Sequence, residues 1–269
     1  MTPSGELPPA PQPLPVPVDD SHCHLDLTDG SIESAVAAAQ AVGVRRIVTI
    51  GVDVESSEWA ADAAAQHRDV FAAVAIHPND AHRADDSAWN RIEALAGQPG
   101  VRAVGETGLD YFRDSAPPAA QQESFRRHIA IAKATGRALV IHDRDAHEDV
   151  LRILAEEGAP DRTVFHCFSG DAAMARRCAD LGYVLSFAGT LTFANAPALR
   201  EAAAVTPLDM VLVETDAPFL TPVPYRGRPN ASYLVPYTLR ALAAAQGRDV
   251  AEVGAAVAAT AMRIFDFPA

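Results

Sequence analysis

Val16-Pro17-Val18-Asp19-Asp20-Ser21 is a short apolar and acidic run that reads as a strand, and it ends in His22-Cys23-His24. Successive strand side chains alternate between faces, so both imidazoles point to one side and Cys23 to the other. Two histidines on one face of a strand end can share a cation. An isolated His-x-His would more often only satisfy local hydrogen bonds. The pair gains weight because carboxylates and further histidines recur at equivalent strand ends downstream.

Outward from this stretch the chain alternates alanine-rich helical segments with short β-branched runs. Residues 31–42 read as helix and 45–51 as strand, then 56–67 and 70–78, then 85–97 and 101–106. Residues 121–135 form a strong helical pattern closed by Gly136, followed by the strand 138–142. The series continues with helices 146–157, 171–181 and 196–204 and strands 163–166, 183–187 and 210–215, which makes eight strands. Residues 232–244 and 250–265 supply the closing helices.

Eight strands alternating with helices predict an α/β fold, a (β/α)8 TIM barrel, built as a single domain over 18–269. A doubly wound sheet is disfavoured, because no Gly-x-Gly-x-x-Gly follows the first strand. With 269 residues, 49% of them hydrophobic and 21% charged, the chain has about the length such a barrel needs.

The formal charge of -13 argues against a protein held on nucleic acid by a broad basic surface. Any such contact would be local, through metals and a few arginines. Cys23, Cys167 and Cys178 show no paired spacing, which suggests a reducing interior rather than a disulfide framework. Residues 1–17 are expected to form a disordered or polyproline-II tail, with a ligand for an SH3-like domain as the alternative. There is no secretory pattern and no long apolar run, so the expectation is a cytoplasmic protein without a membrane span.

In a barrel of this type the chemistry gathers where strands end. The polar residues there are His22 and His24 after the first strand, His77 after the third, Glu106 after the fourth, His142 after the fifth, His166 after the sixth and Asp216 after the eighth. His67, His82, His128 and His147 fall in helices or loops and read as surface or capping residues. Taken singly, His77 could merely bond backbone groups, and His142 or His166 could be an imidazole satisfied within the core. Glu106 and Asp216 at the ends of apolar runs are harder to dismiss, since a buried carboxylate needs a partner.

These donors are too many for one structural zinc and suit two divalent cations, with Mg, Mn and Zn all compatible. Glu106 is the expected bridge, with His22, His24 and Asp216 on one cation and His142 and His166 on the other. Paired cations can activate a water for attack on an ester centre, Asp216 or a neighbouring group taking the proton. Arg113 and Arg144, just past Phe112 and His142, are candidates to clamp phosphate oxygens, each with a surface ion pair as the competing reading, and Arg226 and Arg228, after the eighth strand, form a further basic patch for substrate on the same rim. Tyr111, Phe112 and Phe168 could stack bases or anchor loops.

Six ordered stretches resemble the TatD-type metal-dependent hydrolases of the amidohydrolase superfamily: Asp20-Ser21-His22-Cys23-His24-Leu25-Asp26, Ala75-Ile76-His77-Pro78, Gly105-Glu106-Thr107-Gly108-Leu109-Asp110-Tyr111, Ile141-His142-Asp143-Arg144, His166-Cys167-Phe168-Ser169-Gly170 and Glu214-Thr215-Asp216-Ala217-Pro218. The resemblance covers about residues 18–265. It implies a TIM barrel with two divalent metals and a magnesium-dependent deoxyribonuclease acting on DNA ends. It further implies His22, His24, Glu106 and Asp216 as ligands of one metal and Glu106, His142 and His166 as ligands of the other, with His77 near the scissile phosphate. Relatives that bridge their metals with a carboxylated lysine are disfavoured, because the only lysine, Lys133, lies inside a helix.

Two departures stand out. Arg226-Gly227-Arg228-Pro229-Asn230 runs into Ala231-Ser232 where the family often has Glu-Pro, and the proline-rich tail lies outside the family pattern. The expectation is therefore a monomeric, metal-dependent hydrolase with DNA, single-stranded or at its ends, as substrate and no obligate protein partner. A hydrolase of small esters, amides or lactones, and a low-turnover metal-binding protein, are the competing readings.

Overall fold

Parallel strands covered by helices on one side and filled by side chains on the other are buried on both faces, so their sequences read as unbroken apolar runs. The computed structural model, which describes residues 5–113 and 115–268, shows such runs at Val70–Val74 and Val211–Val213. Its strands are β1 (Val18–Cys23), β2 (Val44–Ile50), β3 (Val70–Val74), β4 (Val101–Asp110), β5 (Ala138–Arg144), β6 (Thr163–Phe165), β7 (Val184–Phe187) and β8 (Val211–Val213). The helices are α1 (Ile32–Ala41), α2 (Val54–Gln66), α3 (Asp86–Ala96), α4 (Pro118–Thr135), α5 (His147–Glu157), α6 (Ala172–Asp180), α7 (Pro197–Val205), α8 (Val235–Gln246) and α9 (Val250–Phe265). Among the described residues the eight strands form one sheet in chain order, the (β/α)8 barrel fold expected from the alternation.

Local chemistry sets the helix ends. Ser31, Asp53, Asp85 and Asp171 each accept a backbone N–H from the first turn of the helix they precede. Gly136 and Gly247 close α4 and α8 at φ of 63° and 61°, where a side chain would be strained. No helix among the described residues is long and apolar enough to cross a membrane.

The chain divides into two compact units. Residues 50–166 and 264–266 form one, which contains β3 to β6 and α2 to α5. Its strands pair in parallel, with Val74 opposite Val104, Gly108 opposite His142 and Ile141 opposite Phe165. Ile92, Phe125, Ile129, Leu139, Ile141 and Ile153 are buried in its core.

The other unit takes residues 1–49, 167–263 and 267–269. Here Val18 pairs with Val44 and Cys23 with Thr49, and Phe187 pairs with Val213. The end of β1 is joined to the segment after β8 by a bridge from Cys23 to Ala217. The His24 N–H donates to the Ala217 carbonyl (2.7 Å) and the Asp216 N–H to the His22 carbonyl (2.9 Å).

Three boundaries differ from the sequence reading in ways that matter for the site. β4 runs four residues past Glu106, to Asp110, and β5 runs two past His142, to Arg144. β3 stops at Val74, so His77 does not end a strand. It caps the 3-10 turn Pro78–Arg83, its Nδ1 accepting the Asn79 N–H (3.1 Å).

The proline-rich segment was expected to be a disordered or polyproline-II tail. Met1–Ser4 lie outside the described residues, but Gly5–Pro17 is tied to its unit at several points. The Glu6 and Leu7 carbonyls accept from Arg228, the Pro8 carbonyl from Tyr233 and the Gln12 and Pro13 carbonyls from Arg240. Leu14 is buried and its N–H donates to the Val42 carbonyl (3.0 Å). An extended proline-rich strand offers every carbonyl and few donors, so arginine and tyrosine side chains suit it.

Candidate metal centre

Strand periodicity builds the first group of donors. Glu106, Gly108 and Asp110 occupy alternate positions of β4 and share one face. A side chain at Gly108 would place its Cβ 2.1 Å from the His142 carbonyl, so the glycine permits the close approach of β5 that brings His142 beside the two carboxylates. Glu106 is nearly fully buried. Its Oε1 lies 2.6 Å from His142 Nδ1, 3.0 Å from His166 Nε2 and 3.5 Å from His77 Nε2. Ring centroids are 4.7 Å apart for His77 and His142 and 5.9 Å apart for His142 and His166.

Burial alone would raise the Glu106 pKa. The neighbouring His166 and His77 and the hydrogen bonds from His142 and His166 outweigh it and hold the carboxyl well below its ordinary range. At His142, burial works toward the neutral ring, but hydrogen bonds to Asp110 and Glu106 dominate and raise the pKa. Three imidazoles gathered on one buried carboxylate oxygen form a nitrogen and oxygen donor set that suits a divalent cation. His77, Glu106 and His142 each offer a ligand atom within 4.8 Å of the others. His77, expected near the scissile phosphate, stands within this group, its Nε2 3.5 Å from Glu106 Oε1.

The second group belongs to the other unit. His22 is fully buried and His24 nearly so, their rings packed edge to face with centroids 5.2 Å apart. The Nε2 atoms lie 3.6 Å and 3.5 Å from Asp216 Oδ1. Asp216 adopts φ of 55°, a left-handed conformation that aspartate tolerates better than most residues. Two imidazoles and one carboxylate again make a donor set fit for a divalent cation.

Sequence reasoning missed the groups that hold these donors. Asp110 Oδ2 lies 3.2 Å from His142 Nε2, while its Oδ1 accepts the N–H groups of Phe112 and Arg113 (3.0 and 2.9 Å). Gln121 brackets the same residue, its amide oxygen accepting the Asp110 N–H (2.8 Å) and its nitrogen donating to the Asp110 carbonyl (3.0 Å). The period of two from Glu106 was the available signal for Asp110. His128 was read as a surface or capping residue and is instead fully buried, which pushes its pKa down to about 3. In the second group, Asp20 is buried beside His22. Its carboxylate accepts the Thr215 N–H (2.9 Å) and hydroxyl (2.6 Å), yet burial raises its pKa to about 7.

The four arginines fare differently. Arg144 lies over the Phe112 ring at 4.1 Å and Arg226 over the Phe193 ring at 4.3 Å. Arg113 is exposed and bonds Asp110 through its backbone. The Arg228 fork is committed to the Glu6 and Leu7 carbonyls at 2.9 Å each. Of the aromatics, Tyr111 donates to Asp149 (2.7 Å) and Phe168 is buried against Phe187, so both anchor loops, whereas Phe112 is 61% exposed.

A family model described as TatD related DNase matches residues 19–266. The chain is 46% identical over 255 residues to the uncharacterized metal-dependent hydrolase TatD of Mycobacterium tuberculosis, covering 91% of this chain and 97% of that protein. It is 36% identical over 259 residues to the uncharacterized metal-dependent hydrolase YcfH of Escherichia coli K12, covering 93% and 96%. Among solved structures, YJJV, a TatD homolog from Escherichia coli K12, superposes with a TM-score of 0.89 at 27% identity, covering 93% of this chain and 98% of that one. A TatD family hydrolase from Entamoeba histolytica, 15% identical with a TM-score of 0.82 over 94% of this chain and 98% of that one, shares the fold.

Proposed function

Because the chain belongs to the TatD-related DNase family of metal-dependent hydrolases, we propose that it is a divalent-metal-dependent deoxyribonuclease that releases nucleotides from DNA ends. The observation that carries this reading is the convergence of His77, His142 and His166 on one Glu106 carboxylate oxygen. Glu106, His142 and His166 would hold one cation, and His22, His24 and Asp216 another. Bound there, Mg²⁺, Mn²⁺ or Zn²⁺ lowers the pKa of water and neutralises charge on ester oxygens.

The residues then divide the work of hydrolysis. Water oxygen attacks phosphorus, Asp216 takes the proton it sheds, and the bond from phosphorus to the departing sugar oxygen breaks. His77 Nδ1 accepts the Asn79 N–H, so a neutral ring carries its proton on Nε2, the nitrogen that faces Glu106. That proton would pass to the departing oxygen. Arg144 and Arg226, with Arg113, supply positive charge for the phosphate.

The charge of -13 fits a substrate gripped locally, through cations and a few arginines, rather than across a basic face. Cys23, Cys167 and Cys178 are not joined in a disulfide, which supports a reducing compartment, the cytoplasm. The protein acts as a monomer in this reading. Incubation with 3′-labelled single-stranded DNA in EDTA, Mg²⁺ or Mn²⁺, beside Glu106→Ala, tests it. Metal-dependent release that vanishes in the variant is expected. Bound cations without release would transfer the reading to hydrolysis of small esters, amides or lactones.

A further inference from the structure

The inner face of a barrel helix ordinarily carries apolar side chains, and Phe125, Ile129 and Ala132 of α4 are buried in that manner. His128 is buried among them, its ring 4.9 Å from that of Trp89. Its two nitrogens reach two different segments. Nε2 accepts the Ile76 N–H at 3.1 Å. A nitrogen that accepts carries no proton, so the neutral ring is protonated at Nδ1, which faces the Thr107 hydroxyl at 2.8 Å and, farther off, the Ser124 hydroxyl of its own helix at 3.5 Å.

The positions of those partners give the imidazole its significance. Ile76 precedes His77, and Thr107 follows Glu106. Ile76 lies past the end of β3, where no strand pairing holds its N–H in place. We propose that His128 is a positioning residue of the metal centre: a neutral, Nδ1-protonated imidazole that ties the segment after β3 to β4 and sets the approach of His77 to Glu106.

An apolar side chain of similar volume would fill the space without the cost of burying two polar atoms. What it would lose is direction, because each hydrogen bond fixes a neighbour of a donor residue. His77 Nε2 and Glu106 Oε1 are 3.5 Å apart, and a shift at Ile76 or Thr107 passes directly into that separation. Burial keeps the ring neutral, so the tie holds across the working pH range. The inference rests on the reading of the Glu106 group as a metal site, not on the identity of the substrate.

The test uses the full chain and two variants. His128→Leu removes both bonds, and Thr107→Val removes one while keeping the shape of the side chain. Calorimetric titration with Mn²⁺ alone should show binding weakened about 10- to 100-fold in each, with cooperative unfolding retained. Nitrogen NMR of the wild-type ring should report Nδ1–H with bare Nε2 from pH 5 to 9, and Thr107→Val should displace the His77 ring resonances. A folded Thr107→Val protein that binds Mn²⁺ as the wild type does, or a ring protonated at Nε2, would overturn the proposal. Wild-type protein that binds no Mn²⁺ would overturn the metal reading instead. The tautomer and the His77 resonances would then still decide the role of His128.

Discussion

His142 Nδ1 stands 2.6 Å from Glu106 Oε1, and Nε2 of the same ring stands 3.2 Å from Asp110 Oδ2. Burial favours the neutral imidazole, but the two carboxylates raise its pKa above the ordinary value of 6.5. A group whose pKa is raised on folding stabilises fully below its unfolded value and loses that contribution as pH climbs through the folded one. The cation-free protein should therefore lose stability as pH rises above about 6.5, and His142→Gln should flatten the curve. A cation taking this nitrogen must displace the proton. Mn²⁺ titrations in buffers of different ionisation enthalpy should show proton release, and affinity should rise with pH; binding without release would count against His142 as a ligand.

Asp110 orients His142 and also ties down the turn that follows β4. Asp110→Asn keeps an acceptor for the Phe112 and Arg113 N–H groups and removes the charge. It should lower Mn²⁺ affinity or turnover by about 10- to 100-fold with little change in stability. Asp110→Ala should in addition cost about 1–2 kcal/mol in urea denaturation, because two part-buried N–H groups lose their partner. Equal effects of the two substitutions on stability would remove the turn from Asp110's role.

Arg228 donates from Nε and Nη2 to two carbonyls of the N-terminal segment, the same fork with which arginine grips two phosphate oxygens. Deleting residues 1–13 and replacing Arg228 by alanine should each cost about 1 kcal/mol, and the double change should cost less than the sum. The same cycle reads the substrate role. If Arg228 serves DNA once the segment is gone, alanine should raise KM only in the shortened chain. An unchanged KM in both backgrounds would confine Arg228 to holding the segment.

Asp20 has a pKa raised by burial from 3.8 to about 7 in spite of its bonds to Thr215. The folded state holds this proton more tightly than the unfolded chain does. Stability should thus fall as pH rises from about 4 through 7, a loss on the order of 4 kcal/mol if Asp20 acted alone. Asp20→Asn keeps an acceptor for the Thr215 N–H without the charge. Its melting temperature relative to wild type should be most favourable at pH 8 and decline toward pH 5. A difference that does not vary with pH would mean that Asp20 is ionised without penalty.

The sequence by itself determined the barrel and singled out the candidate donors at its strand ends. Both are local properties: apolar runs such as Val70–Val74 mark strands buried on both faces, and His22, His24, Glu106, His142 and Asp216 stand at or just past the ends of strand-like runs. Only the tertiary structure decided what holds those donors. Asp110 could be aligned with Glu106 from the strand period, but its partnership with His142 depends on the β4–β5 register that sets Gly108 opposite His142. His128 meets Thr107 and Ile76 because α4 packs its inner face on β4 and on the turn after β3, pairs separated by 21 and 52 residues. Arg228 bonds carbonyls more than 220 residues away, which no local pattern announces. Strand and helix periods act over a few residues, whereas a buried polar group takes whichever partner the packed chain brings within hydrogen-bonding reach.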